Sequence, residues 1–345
     1  MHIKPFAVEQ WMNAHETTAT WNIAETCVDS LRLEELLALA GDGDAVLRRL
    51  LATKLTYGHI SGSPELRAAI AALYGERITP DNVIATNGAI GANFLALFAL
   101  VEPGDTVVCV RPTYQQLYSA PEALGAQVRL LSLREEDGYL PDVDELRTLV
   151  DDSTRLIVLS NPNNPTGALI DEPLLREIVA VARERGASTG SMSKSYSLAG
   201  LRTGWLAGPP DLIERCLEVR DYTTISCGVL DDALAVLALE HLGEVLARNL
   251  EIVCGNLAVV DEWLAGEPRL HHVRPRAGTT TLVHYDYPMP SVELCRALFD
   301  ESGAFVMPGA AFDEERSFRL GYACARDVLE GGLAAISEYL RTLER

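Results

Sequence analysis

The sequence predicts an α/β protein with a doubly wound, mostly parallel sheet and a smaller α+β domain from both termini. Predicted strands and helices alternate from residue 82 to residue 208, which is typical of a doubly wound sheet. Several strands, such as 106–110 and 155–160, are short apolar runs of the kind that lie buried in parallel sheets. The sequence therefore predicts a large domain at 45–245 and a small domain that combines 1–44 with 246–345.

Composition and charge limit the classes of protein to which the chain can belong. Its 345 residues, 48% of them hydrophobic, are enough to bury a large core in one big domain or two. The formal net charge of −20 would repel a nucleic acid or an anionic membrane surface, so neither is an expected partner. No apolar run is long enough to span a membrane, and no signal peptide is expected.

The cysteines and histidines show no pattern of a disulfide framework or of a metal site. Seven cysteines are scattered along the chain without a CxxC pair, and the histidines lack HxxxH and HExxH spacings. A scattered, odd number of cysteines is typical of reduced thiols. The sequence therefore predicts a cytoplasmic protein without a metal.

The N-terminal region predicts a short amphipathic helix within 1–20, with Val8 and Trp11 on its apolar side. An extended piece follows at 21–29, where Glu25 stands among apolar and small residues. Two interpretations of Glu25 are open. It is either an exposed acid in a loop or a carboxylate aimed at the cationic end of a substrate.

Three helical regions and a break complete the coarse pattern outside the alternating part. A helix is predicted at 31–40 and ends at a break formed by Gly41-Asp-Gly-Asp44. One long helical region is predicted at 229–264, after a shorter one at 211–219.

A turn after the first strand has the geometry of an anion site. The strand at 82–86 runs into Asn87-Gly-Ala-Ile-Gly91 and then into a helix at 92–101. A strand, a glycine turn and a helix N-terminus present free backbone N–H groups to a phosphate. The GxGxxG spacing is absent, so the dinucleotide fingerprint is not met.

Two further turns follow strands at the edge where ligand crevices of open α/β sheets lie. Tyr114 comes just after the strand at 106–110, either as a core residue or as a stacking platform for a flat ring. The strand at 155–160 ends in Asn161-Pro-Asn-Asn-Pro-Thr-Gly167, whose prolines and asparagines predict a tight, rigid, polar turn.

The stretch from Ser191 to Trp205 carries a single lysine among serines. Lys194 is followed eight positions later by Arg202, with small or hydroxyl residues around both. Hydroxyls and fixed cations suit a bound phosphate, and a lysine held there could form a Schiff base with an aldehyde. A serine-rich surface loop is the alternative from this stretch alone.

Taken in order, four motifs resemble the fold type I, class I/II aminotransferases that depend on pyridoxal 5'-phosphate (PLP). The motifs are Asn87-Gly-Ala-Ile90, Pro112-Thr-Tyr114, Asn161-Pro-Asn-Asn-Pro-Thr-Gly167 and Ser191-Met-Ser-Lys-Ser-Tyr-Ser-Leu-Ala-Gly-Leu-Arg202. The resemblance covers nearly the whole chain. It implies PLP as cofactor, an amino acid substrate bound through an external aldimine, and a homodimer with shared active sites.

The resemblance also implies a role for each matching residue on the cofactor side. Lys194 would form the Schiff base and move the Cα proton. Tyr57 would reach the phosphate of the neighbouring subunit. The phosphate would otherwise be held by Gly88, Ala89, Ile90, Ser191, Ser193 and Arg202.

On the substrate side, Tyr114 would stack on the pyridine ring, and Asn164 would bind the phenolic oxygen of the ring and the substrate. Arg319 would clamp the substrate α-carboxylate in a bidentate pair. A solvated strand arginine is the alternative reading of Arg319. Glu25, together with Asp29, offers a site for a guanidinium group, so the substrate could be cationic.

The sequence departs from the family at one place. The family has a strand that ends in an aspartate, with a tyrosine three positions on, ahead of the lysine; the aspartate keeps the pyridine nitrogen protonated. Here only Ala187-Ser-Thr-Gly190 separates Gly186 from Ser191, and no aspartate occurs between Asp171 and Lys194. A strand and connection of ~30 residues are missing, by the size of a βαβ unit.

Two explanations of the missing segment are open. A true deletion would remove a central strand and the counter-ion of the cofactor, and an inactive protein would be expected. Alternatively, the full protein contains a segment that this sequence lacks, which is the interpretation we favour. In either case the helix predicted at 171–185 would lead to no strand before the lysine turn.

Three C-terminal stretches resemble the capreomycidine synthase type within this family, which cyclises a hydroxylated arginine. They are 220–226, 319–324 and 329–337. This resemblance implies elimination and cyclisation, with ordinary amino acid transamination as the alternative. A non-enzymatic regulator is disfavoured because no basic DNA-binding region is appended. A nucleotide-dependent dehydrogenase is disfavoured by the missing GxGxxG motif.

Overall fold

The computed structural model describes residues 2–182 and 186–343, and it groups them into two compact units. The first unit consists of 2–28, 103–182 and 251–343, and the second of 29–102 and 186–250. Parallel strands joined by helices confirm the predicted α/β class. The predicted division at residues 45 and 245 stays a prediction.

The helices are numbered in chain order. They are α1 Ala7–His15, α2 Leu33–Leu39, α3 Gly43–Leu51, α4 Pro64–Ala72, α5 Gly88–Leu100, α6 Gln116–Leu124, α7 Val143–Leu149, α8 Glu172–Ala182, α9 Pro210–Arg220, α10 Val229–Glu240, α11 Leu242–Ala265, α12 Ser291–Ser302 and α13 Arg326–Leu343.

The strands follow the same convention. They are β1 Trp21–Asn22, β2 Val83–Asn87, β3 Thr106–Arg111, β4 Gln127–Ser132, β5 Thr154–Val158, β6 Ser188–Ser191, β7 Thr203–Ala207, β8 Leu270–His272, β9 Thr280–Tyr285, β10 Ala304–Phe305, β11 Met307–Pro308 and β12 Ser317–Gly321.

The first unit contains a three-stranded parallel sheet in the order β4-β3-β5. Val107, Val108 and Cys109 of the central strand are buried, as expected for a strand covered on both faces. The core on one side of this sheet includes Leu131, Leu146 and Ile178. Tyr114 and the Asn161–Gly167 turn follow β3 and β5 in the chain.

The same unit joins the two ends of the chain. β1 pairs in parallel with β10, so residues 21–22 lie beside 304–305. An antiparallel sheet in the order β11-β12-β9-β8 carries Arg319 on β12. Its core includes buried aromatic residues from both ends of the chain, among them Trp11, Phe305 and Tyr322. The predicted α+β combination of both termini is therefore confirmed.

The second unit contains a sheet in the order β2-β7-β6, in which β7 is antiparallel to both neighbours. β2 is wholly apolar up to Thr86 and lies buried between the helical layers. The core on one side includes Leu66, Ile70 and Trp205, and on the other Leu95 and Ile213. The lysine loop, residues 192–202, leads directly into β7, and β7 pairs with β2, so the lysine loop lies beside the turn after β2.

Two local predictions are wrong. A four-residue strand, β6, precedes the lysine loop, although none was expected after the predicted helix at 171–185. Its small residues adopt an extended form because β7 supplies a ladder, from Ser188 opposite Ala207 to Ser191 opposite Gly204. The last residues of that predicted helix, 183–185, lie outside the described residues. The sequence also predicts a closing helix at 327–344, of which residue 344 lies outside the described residues.

The predicted break lies between α2 and α3, and it is shorter than Gly41–Asp44 because Asp42 accepts a hydrogen bond from Ala45 N (2.9 Å) and caps a helix that begins at Gly43. The second wrong prediction is a continuous helical region. The long region at 229–264 is two helices, since His241 leaves helical geometry with φ −109° and ψ 32°. Within the described residues, no helix is long and apolar enough to cross a membrane.

Candidate active site

The turn between β2 and α5 is fixed by close backbone packing. Gly88 has φ +70°, and its carbonyl accepts a hydrogen bond from Thr86 Oγ1 at 2.9 Å. A Cβ atom added to Gly204 of β7 would collide with the carbonyl carbon of Gly88 and lie 2.6 Å from Ala89 N. Only glycine at position 204 leaves room for the first turn of α5, whose N–H groups have no intrahelical acceptor.

Arg202 lies directly against this turn. A Cβ atom added to Gly88 would lie 3.2 Å from Arg202 Nη2. Arg202 Nη1 donates to Ala199 O at 2.9 Å and to Ser193 Oγ at 3.4 Å. A guanidinium, a hydroxyl and the N-terminus of a helix thus meet at one place, which is the donor set that binds phosphate groups.

An orphaned buried atom marks the same turn. Asn87 Oδ1 is buried and has no hydrogen-bond partner among the described residues. Ala89 is half-buried and Ile90 exposed at the start of α5, so this helix end is not covered by the second unit itself. The predicted phosphate residues of this unit therefore lie where an anion could reach them.

The lysine loop is a tight turn held by its own backbone and by α11. Met192 is fully buried, and its N–H donates to Thr203 O at 2.9 Å. Ser193 N donates to Ser191 Oγ at 3.3 Å, which folds the chain directly before Lys194. The side chain of Lys194 lies on the exposed side of the loop.

Asn249 of α11 is a supporting residue that the sequence analysis missed. It is buried, and its Nδ2 donates to Ser195 O at 2.7 Å while its Oδ1 accepts from Ser197 Oγ at 2.9 Å. Arg248 also donates to Asn249 Oδ1 at 2.9 Å. No local pattern identifies such a residue, because its partners lie more than fifty positions away in the chain.

Tyr57 lies in the stretch between α3 and α4 and is 73% exposed. Three large apolar side chains near it in sequence are also exposed: Leu51, Leu55 and Ile60. Neighbouring Gly58 packs against Val229, so the stretch is held on α10. Of the two tyrosines predicted for the site, Tyr57 is exposed and Tyr114 is half-buried.

In the first unit, Arg319 is buried to 2% exposure on β12. Its Nη1 donates to Asn164 Oδ1 at 3.1 Å and its Nη2 to Ala24 O at 3.0 Å, whereas Nε has no partner among the described residues. No ion pair within 4.0 Å joins it to a carboxylate in that part of the chain. The alternative of a solvated strand arginine is therefore excluded.

The charge of Arg319 is maintained despite its burial. Burial lowers the pKa of Arg319 to about 10, and the negative charge of Glu25 acts in the opposite direction, as do Tyr114 and Glu9. The guanidinium thus stays protonated at neutral pH. A buried cation with an unpartnered N–H and no carboxylate within 4.0 Å among the described residues is suited to a carboxylate that comes from outside the protein.

Asn164 is presented by the rigid polar turn that the sequence predicted. Its neighbour Asn163 is buried and donates to Pro112 O at 3.1 Å, and Asn163 Oδ1 accepts from Thr166 Oγ1 at 2.9 Å. Gly167 closes the turn, with its N–H donating to Asn163 O at 2.8 Å. The structure therefore brings Asn164 and Arg319 together, as the resemblance implied.

Tyr114 is half-buried and tied to the N-terminal helix. Its hydroxyl donates to Glu9 Oε1 at 2.7 Å, and its ring lies 4.7 Å from that of Phe6 at an angle of 55°. Tyr114 also packs against the hydrophobic core of this unit. One side of the ring is therefore packed, as the core interpretation expects, whereas stacking on a flat ring stays a prediction.

Glu25 and Asp29, the two acids predicted to bind a guanidinium group, make different contacts. Glu25 Oε1 accepts hydrogen bonds from Thr26 N at 2.8 Å and Cys27 N at 3.1 Å, so this half-buried acid is not the exposed loop residue that one interpretation expected. Asp29 belongs to the second unit, where Arg248 binds its backbone oxygen at 2.9 Å and its carboxylate at 3.5 Å.

Metal chemistry has no support in the described residues. Among them, no group of three or more histidine, cysteine, aspartate or glutamate side chains could hold a metal ion. The arrangement instead offers an anion cradle with a lysine in one unit, and a carboxylate-binding arginine in the other.

Comparison with known proteins identifies relatives over almost the whole chain. The family described as aminotransferase class I and II matches residues 45–189 and 185–336. The capreomycidine synthase of Streptomyces vinaceus is 34% identical, with 98% of this chain and 94% of that protein covered. The alignment spans 373 positions, more than the 345 residues of this chain, so part of that relative has no counterpart here.

Two solved structures are also similar. A PLP-dependent aminotransferase from Streptococcus suis has a TM-score of 0.97 and 39% identity, with 100% of both chains covered. The PLP-dependent cyclase OrfR has a TM-score of 0.90 and 25% identity, covering 99% of this chain and 98% of that one. The first matched range of the family ends at residue 189 and the second begins at residue 185, so the match is interrupted where a segment is missing from the sequence.

These relatives establish PLP as the cofactor. The second unit fits its phosphate and its aldehyde, because Arg202, Ser193 and the start of α5 supply the donors and Lys194 supplies the amine. The aspartate for the ring nitrogen is absent from the sequence between Asp171 and Lys194.

Proposed function

This chain belongs to the class I and II aminotransferase family, and from that premise we propose that it is an enzyme which cyclises a hydroxylated arginine with loss of water. The observation that carries the amino acid substrate is Arg319, a buried cation without a carboxylate partner among the described residues. The choice of cyclisation is supported by the 34% identity to capreomycidine synthase over 98% of the chain.

Arg319 supports the proposal through its unmet hydrogen bonds. Removing a guanidinium from water costs several kcal/mol, and a paired carboxylate offsets that loss. The α-carboxylate of an amino acid would satisfy the free Nε–H together with one Nη–H in a bidentate pair. Asn164 and the Ala24 carbonyl keep the guanidinium plane fixed for this contact.

In the proposed enzyme, the residues of the second unit hold the cofactor by its phosphate and aldehyde. Arg202 supplies the charge, and Lys194 is the amine that binds the aldehyde carbon. In the homodimer that we also propose, Tyr57 reaches the phosphate bound by the neighbouring subunit. The remaining phosphate donors are Gly88, Ala89, Ile90, Ser191 and Ser193.

The residues of the first unit are proposed to orient the ring and the substrate. Tyr114 offers its ring as a stacking face, and Asn164 binds the phenolic oxygen. Glu25 lies on the substrate side, where its charge supports that of Arg319. When bound, PLP withdraws electrons from the substrate and thereby acidifies its Cα–H bond.

Lys194 is then the base and the acid of the proposed reaction. Its amine takes the Cα proton, and the resulting Lys194 ammonium gives that proton to the Cβ hydroxyl, which leaves as water. A guanidine nitrogen then forms a new bond to Cβ and gives its proton to the Lys194 amine, which returns it to Cα. The product differs from the substrate by one water, keeps its amino group, and needs no oxidant.

The proposal includes a segment that this sequence lacks. The aspartate and tyrosine that the family places before the lysine would keep the ring nitrogen protonated and bind the phenolic oxygen. We infer that the full protein carries them between Gly186 and Ser191, as the restart of the family match at this point supports. Reading the encoded sequence across this junction tests the inference directly.

Amino acid transamination is the second candidate. It is favoured by the TM-score of 0.97 to the Streptococcus suis aminotransferase. The same residues would serve both reactions, since Lys194 moves the Cα proton in each of them. What differs is whether the amino group leaves the substrate.

Product analysis separates the two reactions. PLP-loaded protein is incubated with 3-hydroxy-L-arginine in the absence of any 2-oxo acid, and products are followed by mass spectrometry. A product lighter by one water, absent with Lys194→Ala, is expected. A 2-oxo acid that forms only when an amino acceptor is added overturns cyclisation in favour of transamination. Failure of borohydride to fix PLP to Lys194 overturns both.

A further inference from the structure

A strap of N-terminal residues is fastened to the start of α6 in the first unit. Gln115 is buried, accepts a hydrogen bond from Ala7 N at 2.8 Å and donates to Pro5 O at 2.9 Å. Lys4 pairs with Glu122 at 2.8 Å. These contacts fix where α1 begins and therefore where Glu9, in its first turn, is placed.

Glu9 is a half-buried carboxylate whose charge is not neutralised. Its Oε1 accepts a hydrogen bond from the Tyr114 hydroxyl at 2.7 Å, and no partner is found for Oε2 among residues 2–182 and 186–343. In those ranges no lysine, arginine or histidine nitrogen lies within 4.0 Å of it. A partly buried acid of this kind is stabilised when a cation binds beside it.

Glu9 shares its surroundings with the buried Arg319. The charges of Glu9 and Glu25 both act on Arg319, as does Tyr114, which hydrogen-bonds to Glu9. The Nε–H of this arginine is unpartnered among the described residues. When an α-carboxylate pairs with Arg319, Glu9 loses part of the positive charge that acts on it, so a substrate with a cationic side chain is favoured over a neutral one.

Of the two acids, Glu9 is the better receptor for a cation. Glu25 Oε1 already accepts two backbone hydrogen bonds, from Thr26 and Cys27, and these fix its carboxylate in its own turn. Glu9 makes one hydrogen bond, and the Tyr114 hydroxyl orients its carboxylate. A planar guanidinium has two ways to bind this carboxylate. Two of its N–H groups donate to the remaining oxygen, or one N–H group donates to each oxygen.

We propose that Glu9 determines specificity by receiving the guanidinium end of an amino acid whose α-carboxylate is bound by Arg319. This assignment rests on the proposed function, because it presumes an amino acid at Arg319. It adds a residue that lies outside the four sequence motifs, and it places the recognition of the cationic end on the N-terminal strap.

The test compares L-arginine with L-citrulline, which has the same shape but an uncharged urea group. Dissociation constants of both are measured by spectral titration of PLP-loaded protein for the wild type, Glu9→Gln and Glu9→Asp. The wild type is expected to bind L-arginine roughly 10- to 100-fold more tightly, the range of a charge-assisted hydrogen bond. Glu9→Gln is expected to bring this ratio close to one, and Glu9→Asp to retain most of it.

Glu16→Gln is the matched control, since Glu16 directly follows α1 and its loss removes the same charge from the other end of that helix. Its arginine-to-citrulline ratio is expected to equal that of the wild type. The affinity for neutral L-norleucine should be unchanged in Glu9→Gln, which shows that the strap is intact.

Two results overturn the assignment alone: a wild-type ratio near one, or a Glu9→Gln ratio equal to that of the wild type while amino acids still bind. A protein that takes up PLP but binds neither L-arginine, L-citrulline nor L-norleucine overturns the proposed function itself, and the Glu9 assignment with it.

Discussion

The lysine loop of the second unit and the arginine pocket of the first are built in opposite ways. The loop is made of small residues and backbone contacts, such as Gly204 against Gly88 and Ser193 N to Ser191 Oγ at 3.3 Å. The arginine pocket depends on side chains from distant parts of the sequence, such as Arg319 and Asn164, 155 positions apart. A loop of the first kind leaves a motif in the sequence, whereas a pocket of the second kind does not.

The largest expected effect lies in the loop. Lys194→Ala removes the base that moves the Cα proton, and product formation is expected to fall by at least about 10³-fold. The measurement is product formed per enzyme in single-turnover mass spectrometry. PLP should still bind through its phosphate, because Arg202 and Ser193 are intact. Turnover within tenfold of the wild type would refute the role of Lys194.

The arginine pocket should respond in substrate binding but not in cofactor binding. Arg319→Lys keeps the charge but loses the fork that binds both carboxylate oxygens, so kcat/KM is expected to fall about 10²-fold. The affinity for PLP, measured by equilibrium dialysis, should be unchanged. If Arg319→Lys weakened PLP binding and left kcat/KM at saturating PLP unchanged, Arg319 would serve the cofactor and not the substrate, and the proposed division of roles would be wrong.

Arg202→Gln should give the reverse result. Losing a charge-assisted hydrogen bond to a phosphate is expected to weaken PLP binding roughly 10- to 100-fold, with little change in the substrate KM at saturating PLP. Arg176→Gln is a suitable control, since Arg176 forms an exposed pair with Glu172 at 2.6 Å on α8. PLP affinity equal to that of the control would contradict the assignment of Arg202.

The smallest effects are expected at two buried asparagines of α11. Asn249 donates to Ser195 O at 2.7 Å in the loop, and Asn256 donates at 2.8 Å to Tyr322 O and Cys324 O, just beyond Arg319. Each change to alanine removes these side-chain hydrogen bonds from a buried position and should lower the free energy of unfolding by about 1–3 kcal/mol in urea titration.

These two variants also sharpen the comparison. Asn249→Ala should chiefly lower kcat, because it loosens the backbone next to Lys194. Asn256→Ala should chiefly raise KM, because it loosens the chain after Arg319. The same kinetic change in both variants would show that the two asparagines support a common framework and not two separate regions.

The fold was predictable from the sequence where the pattern is local. Short apolar strands at 83–87 and 106–111 and the helices between them follow from hydrophobic periodicity and turn residues. β6 was not predictable, since Ser188-Thr-Gly-Ser191 has no apolar pattern and is extended only because β7 pairs with it. Tertiary pairing overrode local preference there.

The candidate site was predictable to a similar extent. The motifs identified Lys194, Arg202 and Asn164, because each lies in a turn whose residue types are dictated by backbone geometry. The supporting contacts of the site were not predictable. Asn249 binds Ser195 across 54 positions, Ala24 binds Arg319 across 295, and Glu9 binds Tyr114 across 105. Such contacts exist only after the chain has folded.

The position of β6 has a consequence for how this chain would behave in solution. Among the described strands, β6 pairs with β7 on one side and with none on the other, so its outer peptide groups form an open sheet edge. Ser188 and Thr189 at this edge are exposed, and the strand carries no charged side chain to deter a second chain. The chain as it stands is therefore expected to be prone to self-association, and a strand inserted after Gly186 would protect it by occupying that edge.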